Sequence, residues 1–276
     1  MSFQLGPALL FCPADRPERY LKAAERADAV IIDLEDAVAP SERAVARAAL
    51  VRNPLDPERT IVRVNPAGTA DLAADLDALR ATAYRTVMLP KVESADEAAS
   101  LGGFDVVALC ETAAGVVAAS RIAETANVVA LMWGAEDLVA SLGGSSSRVA
   151  GGRYRDVARQ ARSTVLLAAG GAGKAAIDTV FLDLGDLDGL AAEAEDAVAS
   201  GFAATACIHP SQVAVIRAAY RPGDDEVADA QAVLDAAASE RGAFRFRGRM
   251  VDGPVLRHAE SVLRRAGLSG GRQPAR

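Results

Sequence analysis

Eight short apolar segments, separated by longer Ala-rich amphipathic stretches, constrain the fold of this chain more than any other feature. The segments are ALLFC (8–12), AVIIDL (29–34), TIVRVN (60–65), TVMLP (86–90), DVVALCE (105–111), NVVALMW (127–133), AIDTVF (176–181) and ATACIH (204–209). Helical patterns lie between them, for example over 16–27, 41–50, 70–82, 115–126, 153–169, 186–200 and 210–219. Continuous β-branched segments that alternate with helices are typical of a parallel sheet buried on both faces. The pattern predicts an α/β fold, a closed (β/α)8 TIM barrel. An open doubly wound sheet is the alternative, but no GxGxxG motif follows the first strand.

The chain continues beyond the eighth β-α unit. We expect the barrel to occupy residues 1–222 and a C-terminal extension to occupy residues 223–268. In the extension, helical patterns over 224–240 and 254–266 flank GAFRFRGRMVDGPVL, which we interpret as a short extended or hairpin segment. The final segment, SGGRQPAR (269–276), is small and polar and is predicted to be disordered.

Composition and charge weigh against several classes of protein. The 276 residues are 51% hydrophobic, and the net charge is -7, which is unfavourable for broad nucleic-acid binding. The three cysteines, Cys12, Cys110 and Cys207, are far apart and form no CxxC pair. We therefore expect reduced thiols rather than disulfides or a zinc site. No apolar segment approaches the roughly 20 residues of a membrane span, so a soluble cytoplasmic protein is expected.

Charged residues follow several of the predicted strands at their carboxyl ends. The carboxylates are Asp33, Glu35 and Asp36 after strand two, Glu111 after strand five, and Glu136 and Asp137 after strand six. Because these ends meet at one rim of a barrel, five or more carboxylates converge there. Arg63 and Lys91, at the ends of strands three and four, supply too little positive charge to balance them. A divalent ion would resolve the excess, and oxygen ligands favour Mg²⁺ over zinc.

Each of these charged residues also has a purely structural interpretation. A carboxylate at a βα junction can cap the next helix, although this is the less favoured interpretation for Glu111 and Asp137 together. Strand parity places Ile61, Arg63 and Asn65 on one face. Facing inward, Arg63 could hold a carboxylate through two parallel hydrogen bonds, and facing outward it would form a salt bridge to a helix.

Seven motifs together resemble the citrate lyase β-subunit-like proteins of the HpcH/HpaI aldolase superfamily. In chain order they are FCPADRPERYLKAAERADAVIIDLEDAV, RVN, VMLPKVES, ETAAGV, WGAEDLVASLGG, CIHPSQV and GRMVDGPVL. The resemblance covers about residues 8–266, and the set is specific although each motif alone is weak. It implies a (β/α)8 barrel that cleaves or forms a carbon–carbon bond in a CoA thioester, with Mg²⁺ as cofactor.

The resemblance also implies roles for the residues at the rim. Glu111 of ETAAG and Asp137 of GAEDL are similar to the family's metal ligands. Glu35 and Asp36 of DLEDAV are similar to groups that hold metal-bound waters, and Arg63 of RVN to the clamp on the α-keto acid.

Asp252 of MVDGP resembles the acid/base that related lyases supply from a neighbouring subunit. The extension would then pack on another protomer, which implies a homo-oligomer, commonly a trimer. Without the resemblance, Asp-Gly-Pro is good turn chemistry and favours a structural role. The backbone amides of Gly134 and Ala135 are candidate donors to an enolate oxygen.

The remaining candidates keep two interpretations each. Arg16, Arg19 and Lys22 recur at helical spacing just after strand one and suit the phosphates of CoA, but a solvated basic face explains them equally well. His209 is as consistent with a packed histidine as with a catalytic one. GGSSSR (143–148) is either a flap over the site or a flexible loop.

The function expected from these residues is that of a carbon–carbon lyase. It would cleave a short 3-hydroxyacyl-CoA of the malyl, citramalyl or 3-hydroxy-3-methylglutaryl type to a keto acid and acetyl-CoA or another acyl-CoA, or run in reverse as a synthase. The alternative is a citrate lyase β subunit that acts on a substrate bound to an acyl carrier protein. A third, non-enzymatic interpretation is a barrel that only senses acyl-CoA. The presence of all four candidate catalytic residues, Arg63, Glu111, Asp137 and Asp252, disfavours it.

Overall fold

A closed barrel of parallel strands forms the main part of the molecule. The computed structural model describes residues 3, 5–240 and 242–267. The strands are β1 (Ala8–Pro13), β2 (Ala29–Asp33), β3 (Thr60–Arg63), β4 (Thr86–Leu89), β5 (Asp105–Cys110), β6 (Val128–Trp133), β7 (Ala175–Asp178) and β8 (Ala204–Cys207). They pair in chain order, and β8 pairs with β1 to close the barrel. The predicted (β/α)8 TIM barrel is confirmed.

The interior of the barrel is packed with apolar side chains below the rim. Side chains from successive strands, such as Leu9, Ile31, Ile61 and Met88, meet there and are essentially inaccessible to solvent. This packing is the usual core of the fold, a filled centre rather than a pore. Polar side chains that follow β2, β3, β5 and β6 are therefore left at the open carboxyl end.

Helices connect the strands and cover the outside of the barrel. They are α1 (Tyr20–Arg26), α2 (Arg43–Arg52), α3 (Ala70–Arg80), α4 (Ala95–Ser100), α5 (Ala113–Ala123), α6 (Ala135–Ser141), α7 (Asp156–Gly171), α8 (Leu187–Ser200) and α9 (Pro210–Tyr220). The sequence pattern does not predict two of them, α4 and α6, because helices of six or seven residues show too little hydrophobic periodicity. The first predicted helix is also shorter than expected, since Pro17–Arg19 form a 3₁₀ turn before α1.

Short polar side chains cap the helices that follow the strands. Thr69, Ser94 and Thr112 each accept a hydrogen bond from a backbone N–H in the first turn of α3, α4 and α5. Such caps satisfy donors that the helix itself leaves unpaired. Because Thr112 caps α5, the neighbouring Glu111 is not needed for this purpose.

A second compact unit comprises the described residues 218–240 and 242–267. It contains α10 (Asp224–Ala237), β9 (Phe244–Phe246), β10 (Arg249–Val251) and α11 (Gly253–Arg265). The two strands form an antiparallel hairpin, as predicted, and its turn residues Arg247 and Gly248 have positive φ of 45° and 83°. Val233, Val251 and Val262 pack in its core. The tail predicted to be disordered, 269–276, lies outside the described residues.

The three cysteines are free and buried. Burial raises the pKa of Cys12 to about 11 and that of Cys110 to about 12. Among the residues that the structure describes, no helix combines the length and the apolar character needed to cross a bilayer.

Candidate active site

A cavity of about 270 Å³ opens at the carboxyl ends of the strands. Its lining combines charged and apolar side chains: Asp33, Arg63, Glu111, Glu136 and Asp137 with Phe11, Leu109, Met132, Val180 and Ile208, beside Gly134, Ala135 and others. This position is where enzymes with this fold carry out their chemistry. Four of the sequence-predicted groups at the rim, Arg63, Glu111, Asp137 and the Gly134–Ala135 backbone, are thus brought to one cavity.

Arg63 lies inside the rim, as strand parity predicts, and the interpretation as an outward salt bridge is wrong. Its Nε and Nη2 donate to the two oxygens of Asp33 at 2.7 and 2.6 Å, and its Nη1 lies 3.1 Å from Glu35 Oε2. Asp33 and Arg63 are direct neighbours in the register of β2 and β3. The guanidinium also lies over the Phe11 ring, 4.9 Å from its centroid. The two parallel hydrogen bonds are therefore made to Asp33, and only Nη1, beside Glu35, is not engaged by Asp33.

Asn65 does not share the inward position of Arg63, so parity fails for this residue. The strand ends at Arg63, and the Asn65 amide donates to Asp75 Oδ2 on α3 and to the Leu34 carbonyl, at 2.8 and 3.1 Å. The alternation of side chains holds only while the backbone stays extended.

The Lys91 ammonium group lies among four carboxylates. Lys91 Nζ is 2.5 Å from Glu35 Oε1, 3.2 Å from Asp36 Oδ2, 3.4 Å from Asp137 Oδ1 and 3.9 Å from Glu111 Oε1. Burial lowers its pKa, but the hydrogen bond and charge of Glu35 outweigh burial, so the pKa of Lys91 is raised. For Glu35 itself, burial is the largest effect and raises the pKa of the carboxyl.

Glu111 is buried at the end of β5, where neighbouring groups closely surround its side chain. Its side chain is 3% exposed, and its Oε1 accepts a hydrogen bond from the Lys91 backbone N–H at 3.2 Å. A Cβ on Gly134 would lie 2.7 Å from Glu111 Oε2, so any larger residue there would displace the Glu111 side chain. Burial, followed by the negative charge of Asp137, raises the pKa of Glu111 to about 8.

The two adjacent acids at the start of α6 have different partners. Glu136 Oε1 accepts a hydrogen bond from the Ser147 hydroxyl at 2.6 Å, whereas Asp137 lies beside Lys91. Gly134 occupies the N-cap position of α6, so neither acid caps the helix. Each negative charge therefore has its own polar partner, which explains how the pair is tolerated.

The GGSSSR segment is held by its side chains. Besides the bond from Ser147, Arg148 forms an ion pair with Glu193 of α8 and lies over the Tyr154 ring, 3.8 Å from its centroid. These contacts favour a fixed loop over a flexible one.

The carboxylates at the rim fit a magnesium ion held in part by water. Within the described ranges, no three His, Cys, Asp or Glu side chains converge closely enough to enclose a metal. Mg²⁺ needs no such cage, because proteins usually bind it through one or two carboxylates and leave several waters on the ion. Glu111 and Asp137, which both line the cavity, would supply those two oxygen ligands. Glu35 Oε2 is buried and lacks a well-aligned hydrogen bond, so it can accept one more donor.

The three basic residues proposed for phosphate binding are exposed but do not share one helix face. Arg16 lies outside the helix with φ -120° and ψ 60°, Arg19 ends the 3₁₀ turn, and Lys22 belongs to α1. Arg16 and Arg19 lie 3.8 and 4.0 Å from Asp15 and Glu18, contacts that are weak at the surface. Pro17 disrupts the helical spacing on which the expectation depended.

Two further candidates have local structural roles. His209 is exposed, and its Nδ1 accepts a hydrogen bond from the Ser211 backbone N–H at 3.2 Å, so the packed interpretation is wrong. Asp252 occupies the N-cap position of α11, where its side chain accepts from the Val255 N–H at 3.4 Å. Its predicted role as an acid/base stays a prediction.

Sequence reasoning missed the roles of two carboxylates that organise the barrel end. Asp33 appears among the acids after strand two, but its bonding to Arg63 was not anticipated. Asp178 accepts from Trp133 Nε1 at 2.6 Å and from Arg162 Nη2 at 2.8 Å. It stood within the apolar segment AIDTVF, and a lone acid inside such a segment was the only available signal.

A larger groove of about 780 Å³ lies along α7 and α8 and touches the first cavity at Glu136. The two less exposed of its four arginines are already paired: Arg148 with Glu193, and Arg162 with Asp178 and Asp196. It contains neither Glu111 nor Asp137. The smaller cavity is therefore the candidate site.

This chain is similar in sequence to known proteins over nearly its whole length. Residues 8–210 match the HpcH/HpaI aldolase/citrate lyase family. The chain is 61% identical over 262 residues to a citrate lyase subunit beta-like protein of Mycobacterium tuberculosis, covering 95% of this chain and 96% of the relative. It is 30% identical over 315 residues to an L-malyl-CoA/beta-methylmalyl-CoA lyase of Cereibacter sphaeroides, covering 96% and 98% of the two chains.

A solved structure gives the same relationship in three dimensions. The crystal structure of protein CitE from Mycobacterium tuberculosis in complex with magnesium, acetoacetate and coenzyme A matches with a TM-score of 0.90 and 61% identity. The match covers 96% of this chain and 99% of that chain. Barrel, cavity and relatives agree, and the chain belongs to the HpcH/HpaI aldolase/citrate lyase family.

Proposed function

We propose that this protein is a Mg²⁺-dependent carbon–carbon lyase that cleaves a short 3-hydroxyacyl-CoA thioester to a keto acid and acetyl-CoA or another acyl-CoA. The observation that carries the proposal is the convergence of Glu111, Asp137 and Arg63 on one cavity at the barrel mouth. Relatives that span nearly the whole chain include a malyl-CoA lyase and a CitE structure holding magnesium, acetoacetate and coenzyme A. The reverse reaction, condensation, would use the same groups.

Each group at the cavity has a role in this chemistry. Mg²⁺ held by Glu111 and Asp137 would stabilise negative charge on the hydroxyl oxygen as the carbon–carbon bond breaks. Nη1 of Arg63, which lies 3.1 Å from Glu35 Oε2 without a well-aligned hydrogen bond, would bind the carboxylate of the keto acid. Glu35 and Asp36 would accept hydrogen bonds from waters beside the metal ligands.

The acyl-CoA half of the substrate needs a second set of groups. The Gly134 and Ala135 amides, where α6 begins, would donate to the thioester oxygen as it takes on enolate charge. Arg16, Arg19 and Lys22 would contact the phosphates of CoA. Asp252 would protonate the enolate carbon in cleavage, or remove that proton in condensation.

The assembly that we propose follows from Asp252. It would reach the cavity of a neighbouring subunit, so the working enzyme would be a homo-oligomer, and a trimer is the expected form. We place this enzyme in the cytoplasm.

A cleavage assay tests the proposal. The purified protein is incubated with Mg²⁺ and a racemic panel of malyl-, citramalyl- and 3-hydroxy-3-methylglutaryl-CoA, and release of keto acid is measured. We expect turnover of one member, lost in EDTA and in Asp252→Asn, and reduced at least about 100-fold in Glu111→Gln. Glu93→Gln, an exposed glutamate two residues beyond Lys91, is the matched control and should keep full activity.

The alternatives predict different outcomes of the same assay. A citrate lyase β subunit would turn over the substrate only when an acyl carrier protein carries it. A barrel that senses acyl-CoA would bind the thioesters without cleaving either form. Either result would overturn the proposal.

A further inference from the structure

The charge balance around Lys91 supports a further inference, which rests on the magnesium site of the proposed function. Within the residues that the structure describes, Asp36, Glu111 and Asp137 form ion pairs with Lys91 alone. Glu35 is also paired with Arg63, but two nitrogens of that guanidinium are already bound to Asp33. Lys91 is thus the shared counter-charge of the carboxylates at the rim.

The backbone holds Lys91 in this position. Its φ of 53° lies in the left-handed region, which residues other than glycine rarely adopt. Its N–H donates to Glu111 Oε1 at 3.2 Å, while its ammonium group lies 3.9 Å from the same oxygen. Both the backbone and the side chain of Lys91 therefore interact with Glu111, a proposed metal ligand.

A metal ion at Glu111 and Asp137 would be close to this ammonium group. Lys91 Nζ lies 3.4 Å from Asp137 Oδ1, and its side chain is only 30% exposed. Like charges at such distances repel, and partial burial weakens the screening by water. A fixed cation in this place opposes the binding of a second one.

We propose that Lys91 is an affinity-determining residue, whose ammonium group competes with the divalent cation for Glu111 and Asp137. The competition weakens metal binding and keeps the carboxylates balanced after the ion is removed. This role differs from that of a ligand, because its removal strengthens binding to the metal.

Magnesium titration of a charge-removed variant tests this role. Lys91→Met and wild type are stripped with EDTA, dialysed and titrated with Mg²⁺ alone by calorimetry. We expect Lys91→Met to bind Mg²⁺ at least about fivefold more tightly than wild type. Stripped Lys91→Met should melt on the order of 5 °C lower, and saturating Mg²⁺ should remove most of this difference. Lys174→Met removes the same charge before β7, at the opposite end of the barrel, and should change neither quantity.

A second variant covers the case in which Lys91→Met does not fold. Lys91→Gln removes the charge but keeps a donor for Glu35, and it should also bind Mg²⁺ more tightly. Unchanged or weaker binding in a folded variant overturns the role of Lys91, while Mg²⁺ binding and turnover by wild type leave the proposed function intact. If wild type binds no Mg²⁺ under these conditions, both proposals fail.

Discussion

At the scale of single residues, the two carboxylates proposed as metal ligands differ in their exposure to solvent. Glu111 and Asp137 both line the cavity, but the Glu111 side chain is 3% exposed and that of Asp137 is 38% exposed. Burial raises the pKa of Glu111 to about 8, into the physiological range. Metal binding at this site is therefore linked to proton release, because a carboxyl must be ionised to act as a ligand.

Magnesium affinity should therefore depend on pH below about 8. As pH rises from 6.5 to 8.5, Glu111 loses its proton and the affinity should increase, by at most about tenfold per pH unit, and then level off. Calorimetry in buffers of different ionisation enthalpy should detect close to one proton released per Mg²⁺ bound at pH 6.5 and only a small fraction of a proton at pH 8.5. A flat profile with no released proton would contradict the raised pKa.

The same group makes stripped protein less stable at high pH. The folded pKa of Glu111 exceeds its ordinary value of 4.5, so its stabilising contribution is complete below that pH. The contribution is lost as pH rises towards 8. Mg²⁺ should offset this loss, since it binds the ionised form of the native state.

At the scale of elements, the close approach of α5 to the segment after β4 positions the site. A Cβ on Gly115 would lie 2.2 Å from the Val92 carbonyl oxygen, so α5 can pack here only with glycine. Val92 directly follows Lys91, and α5 begins two residues after Glu111. A glycine in the middle of the ETAAGV motif thus fixes the distance between two elements that carry site residues.

Gly115→Ala should be strongly destabilising and should disturb the site. We expect a loss of about 3 kcal/mol in the free energy of unfolding, because the backbone of one element must move. Gly170→Ala is the matched control, since a Cβ there meets nothing within 4 Å and Gly170 lies near the end of a helix. It should be neutral or stabilising by up to about 1 kcal/mol. Urea unfolding measures both variants, and equal effects would contradict this account of α5 packing.

At the scale of the whole molecule, the chain consists of two compact units with different chemistry. The barrel unit carries the proposed metal ligands Glu111 and Asp137, and the second unit carries Asp252 at the start of α11. Our proposal assigns Asp252 to the cavity of a neighbouring protomer. Activity would then depend on assembly. Two inactive variants, one substituted in the barrel unit and one at Asp252, could then complement each other in mixed oligomers.

Subunit complementation tests this assignment. Asp252→Asn and Glu111→Gln should each be inactive as pure oligomers. Mixed oligomers formed by co-expression at equal levels should regain activity in about a quarter of the sites, since a repaired site must take its barrel from Asp252→Asn and its Asp252 from Glu111→Gln. Pure oligomers of each variant, prepared in parallel, are the controls. If mixed oligomers form and remain inactive, Asp252 does not act across subunits.

The sequence by itself determined the class of fold and the positions from which charged groups reach the rim. Eight apolar segments separated by helical patterns allowed a barrel to be predicted, because the periodicity of burial is a local property of the chain. The prediction of a metal site at the rim followed from the excess of acids after buried strands, and the choice of Glu111 and Asp137 as its ligands followed from the family resemblance. Short helices such as α4 and α6 could not be predicted, since fewer than two helical turns show no clear hydrophobic period.

The tertiary structure alone decided which charges meet. Asp33 rather than a ligand binds the fork of Arg63, Lys91 lies among four carboxylates, and Asn65 bonds to α3. These contacts join residues on different elements, and their geometry depends on where each strand ends and how its successor turns. The pKa of Glu111 likewise depends on surroundings assembled by folding. Local pattern can place a residue on an element, but only packing brings its partner within hydrogen-bonding distance.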